Sequence, residues 1–309
     1  MATVLIIGGT GMIGTALTKL LLEKGCDVII LTRDPDYESE NSKLKYCVWD
    51  PGKKVIEKEA IEKADFVVNL AGANVGAKRW TDKRKREIVE SRVRSGETLV
   101  KALQEIPNKV KAVIQASGID WYPDDPAIPN EKPFVETDER GNHFLAEVCA
   151  KWEASIQPVA ELGIRLVILR TGMVLSKTGG ALDQFERPVR FGIAAILSHG
   201  NQMISWIHIE DMVRMYLYAI EHEALHGVYN AVAPTPVSNK TLMLEIAQLI
   251  AGRFYVPIHV PRFILKLLYG ELGTAILKST TVSAEKISQA GFQFVFPDIE
   301  LALFDIEKK

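Results

Sequence analysis

Three glycines at three-residue spacing, Gly8, Gly11 and Gly14, follow the apolar run Thr3-Val-Leu-Ile-Ile7. Such a turn carries almost no side chains and so admits a diphosphate. The first glycine allows a tight exit from a strand. The second lets the backbone approach phosphate oxygens, and the third lets the next helix pack close to the sheet. A helix expected over about residues 11–24 points its N-terminal N–H groups and positive dipole end at the anion. Thr10, Met12 and Ile13, inside the turn, join the glycines as candidate cofactor contacts. The bland alternative is a strand-to-helix turn that holds no ligand.

The second expected strand, residues 27–32, ends Leu31-Thr32-Arg33-Asp34. A carboxylate about twenty positions beyond the glycines holds the ribose 2′-hydroxyl in the usual NAD pattern. Here Arg33 stands in that slot, and a guanidinium clamps a 2′-phosphate bidentately. Thr32 adds a hydroxyl donor. NADP is therefore expected over NAD. A slip of one residue would put Asp34 there instead, as a NAD-type carboxylate. Arg33 also reads as a solvated loop residue.

His222-Glu-Ala-Leu-His226 matches a zinc-protease pattern, in which two histidines four apart share a helix face and Glu223 acts as base. The pattern falls where its helix should end, because Gly227 follows at once and a strand begins. His226 is then out of line with His222, and no metal is expected. His208, between apolar neighbours in Trp206-Ile-His-Ile, reads as a hydrogen-bonded structural histidine. Trp206 reads as packing.

A chain of 309 residues can bury a large core. A net charge of −2 argues against nucleic acid or an anionic membrane surface as the main partner. The one basic run, Lys78 to Arg86, reads as a solvated loop leading into a helix. Cys26, Cys47 and Cys149 are odd in number and far apart, which fits a reducing cytoplasm. A strand begins within a few residues of the first, so no signal peptide is expected, and no apolar run reaches the length of a membrane span.

Short, continuous, β-branched runs at 4–7, 28–31, 66–70, 113–116 and 166–169 read as strands buried on both faces of a parallel sheet. Helical patterns over about 81–105 and 142–162 separate the later ones. In the second, Phe144, Val148, Trp152 and Ile156 fall on one stripe. Alternation of this kind predicts an α/β, doubly wound Rossmann sheet with right-handed crossovers. Beyond Thr171 the pattern changes: a strand at 204–208, a helix at 210–222, a strand at 228–232, then helices near 240–251 and 262–277. The expected division is a nucleotide-binding domain of residues 1–175 and 204–232. Residues 176–203 and 233–309 then form a smaller mixed lobe over the C-terminal edge of the sheet.

Gly8-x-x-Gly11-x-x-Gly14, Asn69-Leu-Ala-Gly72, Ala116-Ser117 and Ser205-Trp-Ile-His-Ile-Glu-Asp211 resemble an extended or atypical short-chain dehydrogenase/reductase. Within that superfamily the chain is similar to the "epimerase family protein" branch of the NAD-dependent epimerase/dehydratase group. Arg79-Trp80, Glu87 with Ser91-Arg92, Lys151-Trp152-Glu153, Arg170-Thr-Gly-Met-Val-Leu175, Gly227-Val-Tyr-Asn230 and Ala290-Gly-Phe-Gln-Phe294 carry the likeness. It runs from end to end, C-terminal segment included. The resemblance implies that Thr32 and Arg33 meet the adenosine 2′-phosphate, and that Leu70 and Ala71, with Gly72, line the ribose and pyrophosphate side. It puts Glu87 and Arg92 near the cofactor, although the two also read as a surface pair on a helix. It puts Val174 at the nicotinamide end, and Ala116, Arg170 and Met173 join the cofactor-binding set. By family analogy a homodimer through the long helices would be unsurprising.

Members of that superfamily move a hydride and a proton with a Ser, a Tyr and a Lys, the last two four apart on one helix. Lysine and the oxidised nicotinamide favour the tyrosinate there, tuning it as a general acid/base. No tyrosine of this chain is followed four residues later by lysine, and Lys151 has Glu147 four residues before it. Ser117 is placed to donate to a substrate oxygen, or to cap the following turn. Tyr122 is a substitute acid, or packs beside Pro123. Lys151 binds ribose hydroxyls, or pairs with a neighbouring glutamate on the helix surface. Two readings stay open. One is an NADP(H)-dependent oxidoreductase or epimerase-like enzyme on a sugar-nucleotide-like or other carbonyl substrate. The other is an NADP(H)-binding sensor without turnover.

Overall fold

The structure is a computed structural model that describes residues 2–34 and 36–308. It opens with β1 (Thr3–Ile7), α1 (Met12–Glu23) and β2 (Asp27–Thr32). There follow β3 (Leu44–Asp50), β4 (Val55–Ile56), α2 (Lys58–Lys63), β5 (Phe66–Asn69), α3 (Asp82–Glu105) and β6 (Ala112–Gly118). Next come α4 (Phe144–Ile156), α5 (Pro158–Glu161), β7 (Arg165–Thr171), β8 (Met173–Leu175), α6 (Ala181–Val189) and β9 (Ile193–Leu197). After β10 (Met203–Ile204), β11 (Trp206–His208) and α7 (Ile209–Glu221), β12 (Gly227–Ala231) completes the main sheet.

The eight strands of that sheet lie in the order β12-β7-β6-β5-β1-β2-β3-β4. All neighbours are parallel except the β3–β4 pair. Successive side chains of a strand point to opposite faces, and two cores result. Val4, Ile6, Val28 and Ile30 pack with Leu17 and Leu21 of α1 and Met212 and Met215 of α7. Leu5, Ile7, Ile29 and Leu31 pack with Leu99 and Leu103 of α3 and with Ile156 and Val159. Burial of each such side chain contributes about 1.5–3 kcal/mol, which explains the continuous apolar runs. β3 departs from that pattern: its burial alternates near the sheet margin, so it carries polar residues and no continuous run.

The chain doubles back between β1 and β5: β2 lies on one side of β1 and β5 on the other. The crevice above such a reversal, at the C-terminal strand ends, is where ligands of these sheets bind.

Several expected elements divide. The 142–162 pattern is α4 followed by a separate turn at Pro158, with Val148, Trp152 and Ile156 buried along the stripe. The 204–208 strand is two short strands with different partners. β11 pairs with β8, and β10 pairs with β13 (Val237–Ser238), which precedes α8 (Asn239–Ala251). Beyond α8 lie β14 (Val256–Val260), α9 (Arg262–Tyr269), α10 (Glu271–Ala275), α11 (Glu285–Gln289) and α12 (Ile299–Lys308). The single helix expected at 262–277 breaks at Gly270, whose φ of +63° lies in the left-handed region that favours glycine. A third core joins Leu175, Leu182, Ile196, Trp206, Leu242, Ile246 and Leu303. Among the described residues no helix is long and apolar enough to cross a membrane.

Candidate functional site

The glycine turn sits at the reversal point. Gly8 has φ +83°, and a Cβ there would lie 3.0 Å from the Ala71 backbone nitrogen, at the end of β5. A Cβ on Gly14 would lie 2.5 Å from the Gly8 carbonyl oxygen, so α1 reaches the loop only because residue 14 lacks one. Gly11 is different: its nearest neighbour to a built Cβ is the Gly8 oxygen at 3.4 Å. A side chain there would project into open space. Gly11 is also the N-cap of α1, with extended backbone, no side-chain cap and no acidic residue in the first turn. The first N–H groups of a helix have no intrahelical acceptor, so this end offers donors and positive potential to a phosphate. The residues present fit a dinucleotide diphosphate.

A cleft of about 820 Å³ opens here. Of the residues singled out from the sequence, Gly8, Thr10, Gly11, Thr32, Arg33, Leu70, Ala71, Gly72 and Glu87 line it. Asp34 N donates to Thr32 Oγ1 at 3.1 Å, and Asp36 N donates to Asp34 Oδ1 at 3.1 Å, so the Asp34 carboxylate caps its own turn. Among the described residues no carboxylate comes within 4.0 Å of the Arg33 guanidinium. The loop after β5 is fixed from beneath by a buried polar chain. Ser95 Oγ donates to Asn69 Oδ1 at 2.8 Å, and Asn69 Nδ2 donates to Gln115 Oε1 at 2.9 Å.

Sequence reasoning missed Trp49 and Asp50 as cleft walls, because β3 was not read as a strand, and it missed Tyr37 between β2 and β3. It also missed Arg84, Glu90, Ser91 and Arg94 of α3. Arg84, Glu87, Ser91 and Arg94 form one helical stripe, so Glu87 alone carried the signal for its neighbours. Arg84, within the expected solvated run, is buried instead and pairs with Glu87 at 2.7 Å, which holds the Glu87 carboxyl below its usual range. Arg92 does not line the cleft. It braces the loop from behind: Nη1 donates to the carbonyls of Ala73 (3.1 Å) and Ile88 (3.0 Å), and the guanidinium lies over the Trp152 ring. Burial lowers its pKa. Glu87 and Arg92 are therefore no surface pair.

Met12, Ile13, Gly14, Ala116, Met173 and Val174 lie outside the cleft lining. Met12 Sδ and the Val174 carbonyl nonetheless converge on Gly180, at 3.3 and 3.5 Å from a built Cβ. Arg170 is drawn into a buried network instead of the cleft. It grips Glu153 bidentately (2.9 and 3.0 Å) and reaches Tyr122 Oη at 3.2 Å. Ser117 Oγ donates to Glu153 at 2.7 Å, and Tyr122 Oη donates to Asn230 Oδ1 at 2.7 Å. Tyr122 has no exposed surface, and burial pushes its phenol up to about 12. Ser117 and Tyr122 thus meet through Arg170 and Glu153, with both hydroxyls engaged. Lys151 stands apart, half exposed and paired with Glu147 at 2.6 Å. On α4, Cys149 Sγ lies 3.6 Å from the Gly118 carbonyl, and burial raises its thiol to about 12.

The two-histidine pattern has no shared helix face: α7 ends at Glu221, and His222 is its C-cap. His226 lies beyond it, Nδ1 3.0 Å from the Ala224 carbonyl. His208 Nδ1 accepts from Glu210 N at 3.1 Å, and its Nε2 lies 3.3 Å from Asp305 Oδ2, so that the three side chains form one cluster.

A doubly wound parallel sheet with a glycine turn at its reversal point defines a Rossmann-type nucleotide-binding protein. The NAD dependent epimerase/dehydratase family matches residues 4–231, and a domain of unknown function (DUF1731) matches residues 260–306. The chain belongs to the NAD dependent epimerase/dehydratase family. It is 34% identical over 309 residues to an epimerase family protein of Staphylococcus saprophyticus, covering 98% of each chain. It superposes on human epimerase family protein SDR39U1, solved with NADPH, with a TM-score of 0.86, 28% identity and 99% of each chain covered. UDP-glucose 4-epimerase of Thermus thermophilus, in complex with NAD, shares the fold: TM-score 0.75, 18% identity, 99% of each chain covered.

Proposed function

We propose that the chain binds NADP(H) in preference to NAD(H). On this reading it is an oxidoreductase or epimerase-like enzyme on a sugar-nucleotide-like or other carbonyl substrate. The observation that carries the reading is Arg33, at the end of β2, lining the same cleft as the uncapped start of α1. The NADPH found with the human relative supports it. The α1 end and Gly11 would hold the diphosphate, and Thr32 and Arg33 the 2′-phosphate. Bound there, the nicotinamide supplies or accepts a hydride. The test is Arg33→Ala, with affinities measured for NADPH and NADH. Losing one charge-assisted contact of about 1.5–3 kcal/mol weakens NADPH roughly 10- to 150-fold and leaves NADH nearly unchanged. Equal affinities in the unaltered protein end the NADP assignment.

One observation favours a second reading, a sensor without turnover. The Ser117 and Tyr122 hydroxyls are both held inside the network of Glu153, Arg170 and Asn230. A panel of carbonyl substrates separates the two: NADPH consumed with any of them supports the enzyme, and tight binding without consumption supports the sensor.

A further inference from the structure

With Tyr122 locked and Lys151 turned to solvent, the groups beside the end of β6 come from elsewhere. A Cβ built on Gly118 meets Cys149 Sγ at 3.5 Å and Asp120 Oδ2 at 3.8 Å. A thiol and a carboxylate therefore flank the strand end. The third group arrives from the far end of the chain. Lys278 Nζ donates to the Tyr122 carbonyl oxygen at 2.6 Å. The same oxygen lies 3.2 Å from His143 Nε2. Asp120, Asp124, Asp125 and Cys149 all face Lys278 electrostatically, and burial works against its charge and lowers its pKa. Arg92 in turn faces Asp120 and Cys149. Among the described residues, Lys278 makes no ion pair within 4.0 Å.

The residues after Lys278 are stapled down. Asp125 accepts from Ser279 Oγ (2.8 Å), Thr281 N (2.9 Å) and Thr281 Oγ1 (2.8 Å), and Asp125 N donates to the Ser279 carbonyl at 2.9 Å. From the other side Met203 N donates to Ser279 Oγ at 2.8 Å, and Ser205 Oγ donates to the Thr280 carbonyl at 2.9 Å. These bonds fix the backbone on the C-terminal side of Lys278, while its own ammonium is held by the Tyr122 carbonyl.

We propose that Lys278, held at the loop that follows β6, handles the proton of the reaction in place of the missing tyrosine–lysine pair. The inference rests on the dinucleotide reading above. In the reducing direction the carbonyl carbon takes the hydride that reduced nicotinamide supplies, and the carbonyl π pair moves onto oxygen. That oxygen takes a proton from the Lys278 ammonium: an N–H bond breaks, an O–H bond forms, and the amine regains its proton from water. Burial, which works against the ammonium charge, favours release of that proton.

The test uses the full chain and needs no substrate. NADP⁺ and NADPH are each titrated calorimetrically at about pH 8.5 in two buffers of different ionisation enthalpy, which reads out protons released on binding. The oxidised nicotinamide is cationic and the reduced one is not. Beside Lys278, the cation drives off part of the ammonium proton, because like charges a few ångströms apart disfavour each other. NADP⁺ binding therefore releases protons and strengthens relative to NADPH as pH rises through the alkaline range. Lys278→Arg keeps the charge but cannot give up its proton, so the difference disappears; Lys278→Met abolishes it as well. Equal proton release with both dinucleotides overturns the Lys278 proposal and leaves the binding reading standing, as does a difference that persists in Lys278→Arg. Failure of both dinucleotides to bind overturns the binding reading itself.

Discussion

Gly14→Ala and Gly11→Ala add the same methyl group three residues apart, and the structure predicts different consequences. At residue 14 the new Cβ sits 2.5 Å from the Gly8 carbonyl oxygen and 2.6 Å from Gly9 Cα, both backbone atoms that cannot swing aside. The start of α1 must withdraw by roughly 1 Å to restore ordinary contact. Overpacking of this kind costs about 1–3 kcal/mol. Alanine returns about 1 kcal/mol in helix propensity. The net loss of stability is then at most about 2 kcal/mol, a fall in Tm of a few degrees at about 2–4 °C per kcal/mol. The same withdrawal pulls the α1 N–H groups off the diphosphate. One charge-assisted hydrogen bond lost is about 1.5–3 kcal/mol, or roughly 10- to 150-fold in Kd. At residue 11 the Cβ has only one neighbour, at 3.4 Å, and points into the space a phosphate would fill. Gly11→Ala exchanges glycine for the poorer N-cap alanine, so it should cost at most about 1 kcal/mol, a fall in melting temperature of about 2–4 °C or less, while weakening NADPH at least as much as Gly14→Ala. Thermal melts and calorimetric titration of the three proteins decide the matter. Near-unaltered NADPH affinity in a folded Gly11→Ala protein would refute the reasoning, because the phosphates would then not approach that turn.

Removing the Glu153 carboxylate as Glu153→Gln leaves the buried Arg170 guanidinium without its counter-charge. Breaking such a pair costs about 3–5 kcal/mol, so Tm should drop by roughly 10 °C; a drop under about 2 °C would contradict the network. Burial raises Cys149 from 9.0 to about 12 and Tyr122 from 10.0 to about 12, so the unfolded chain releases these protons first. Stability is full below about pH 9 and falls from there toward pH 12. Cys149→Ala should flatten the alkaline part of a Tm-against-pH curve, and an identical curve would count against burial as the cause. For the same reason Cys149 should resist alkylation at about pH 8 in the folded protein, and rapid stoichiometric labelling there would contradict its burial.

The parallel sheet was readable because strands buried on both faces, such as Val4–Ile7 and Val28–Leu31, leave an unbroken apolar record. β3 left none, because Val48 turns outward between buried Cys47 and Trp49, and the cleft wall it supplies was lost with it. The tight turn at Gly8 and the close packing at Gly14 were legible, since backbone geometry alone decides where a Cβ is forbidden. Side-chain partnerships were not. Arg170 and Glu153 are 17 residues apart, and Tyr122 and Asn230 are 108 apart, so no local spacing marks either pair. Lys278 reaches Tyr122 across 156 residues, and only the folded chain brings it to the end of β6. Lys151 is the converse: its helix was readable, but its outward face became evident only from the pairing with Glu147.

Whether the cleft above β1 and β5 takes a phosphorylated pyridine dinucleotide is decided by titrating the purified protein with NADPH and, separately, NADH in a calorimeter. One NADPH per chain should bind with measurable heat, at least tenfold tighter than NADH. No heat with either dinucleotide, from protein shown to be folded by its thermal transition, contradicts the account at its root.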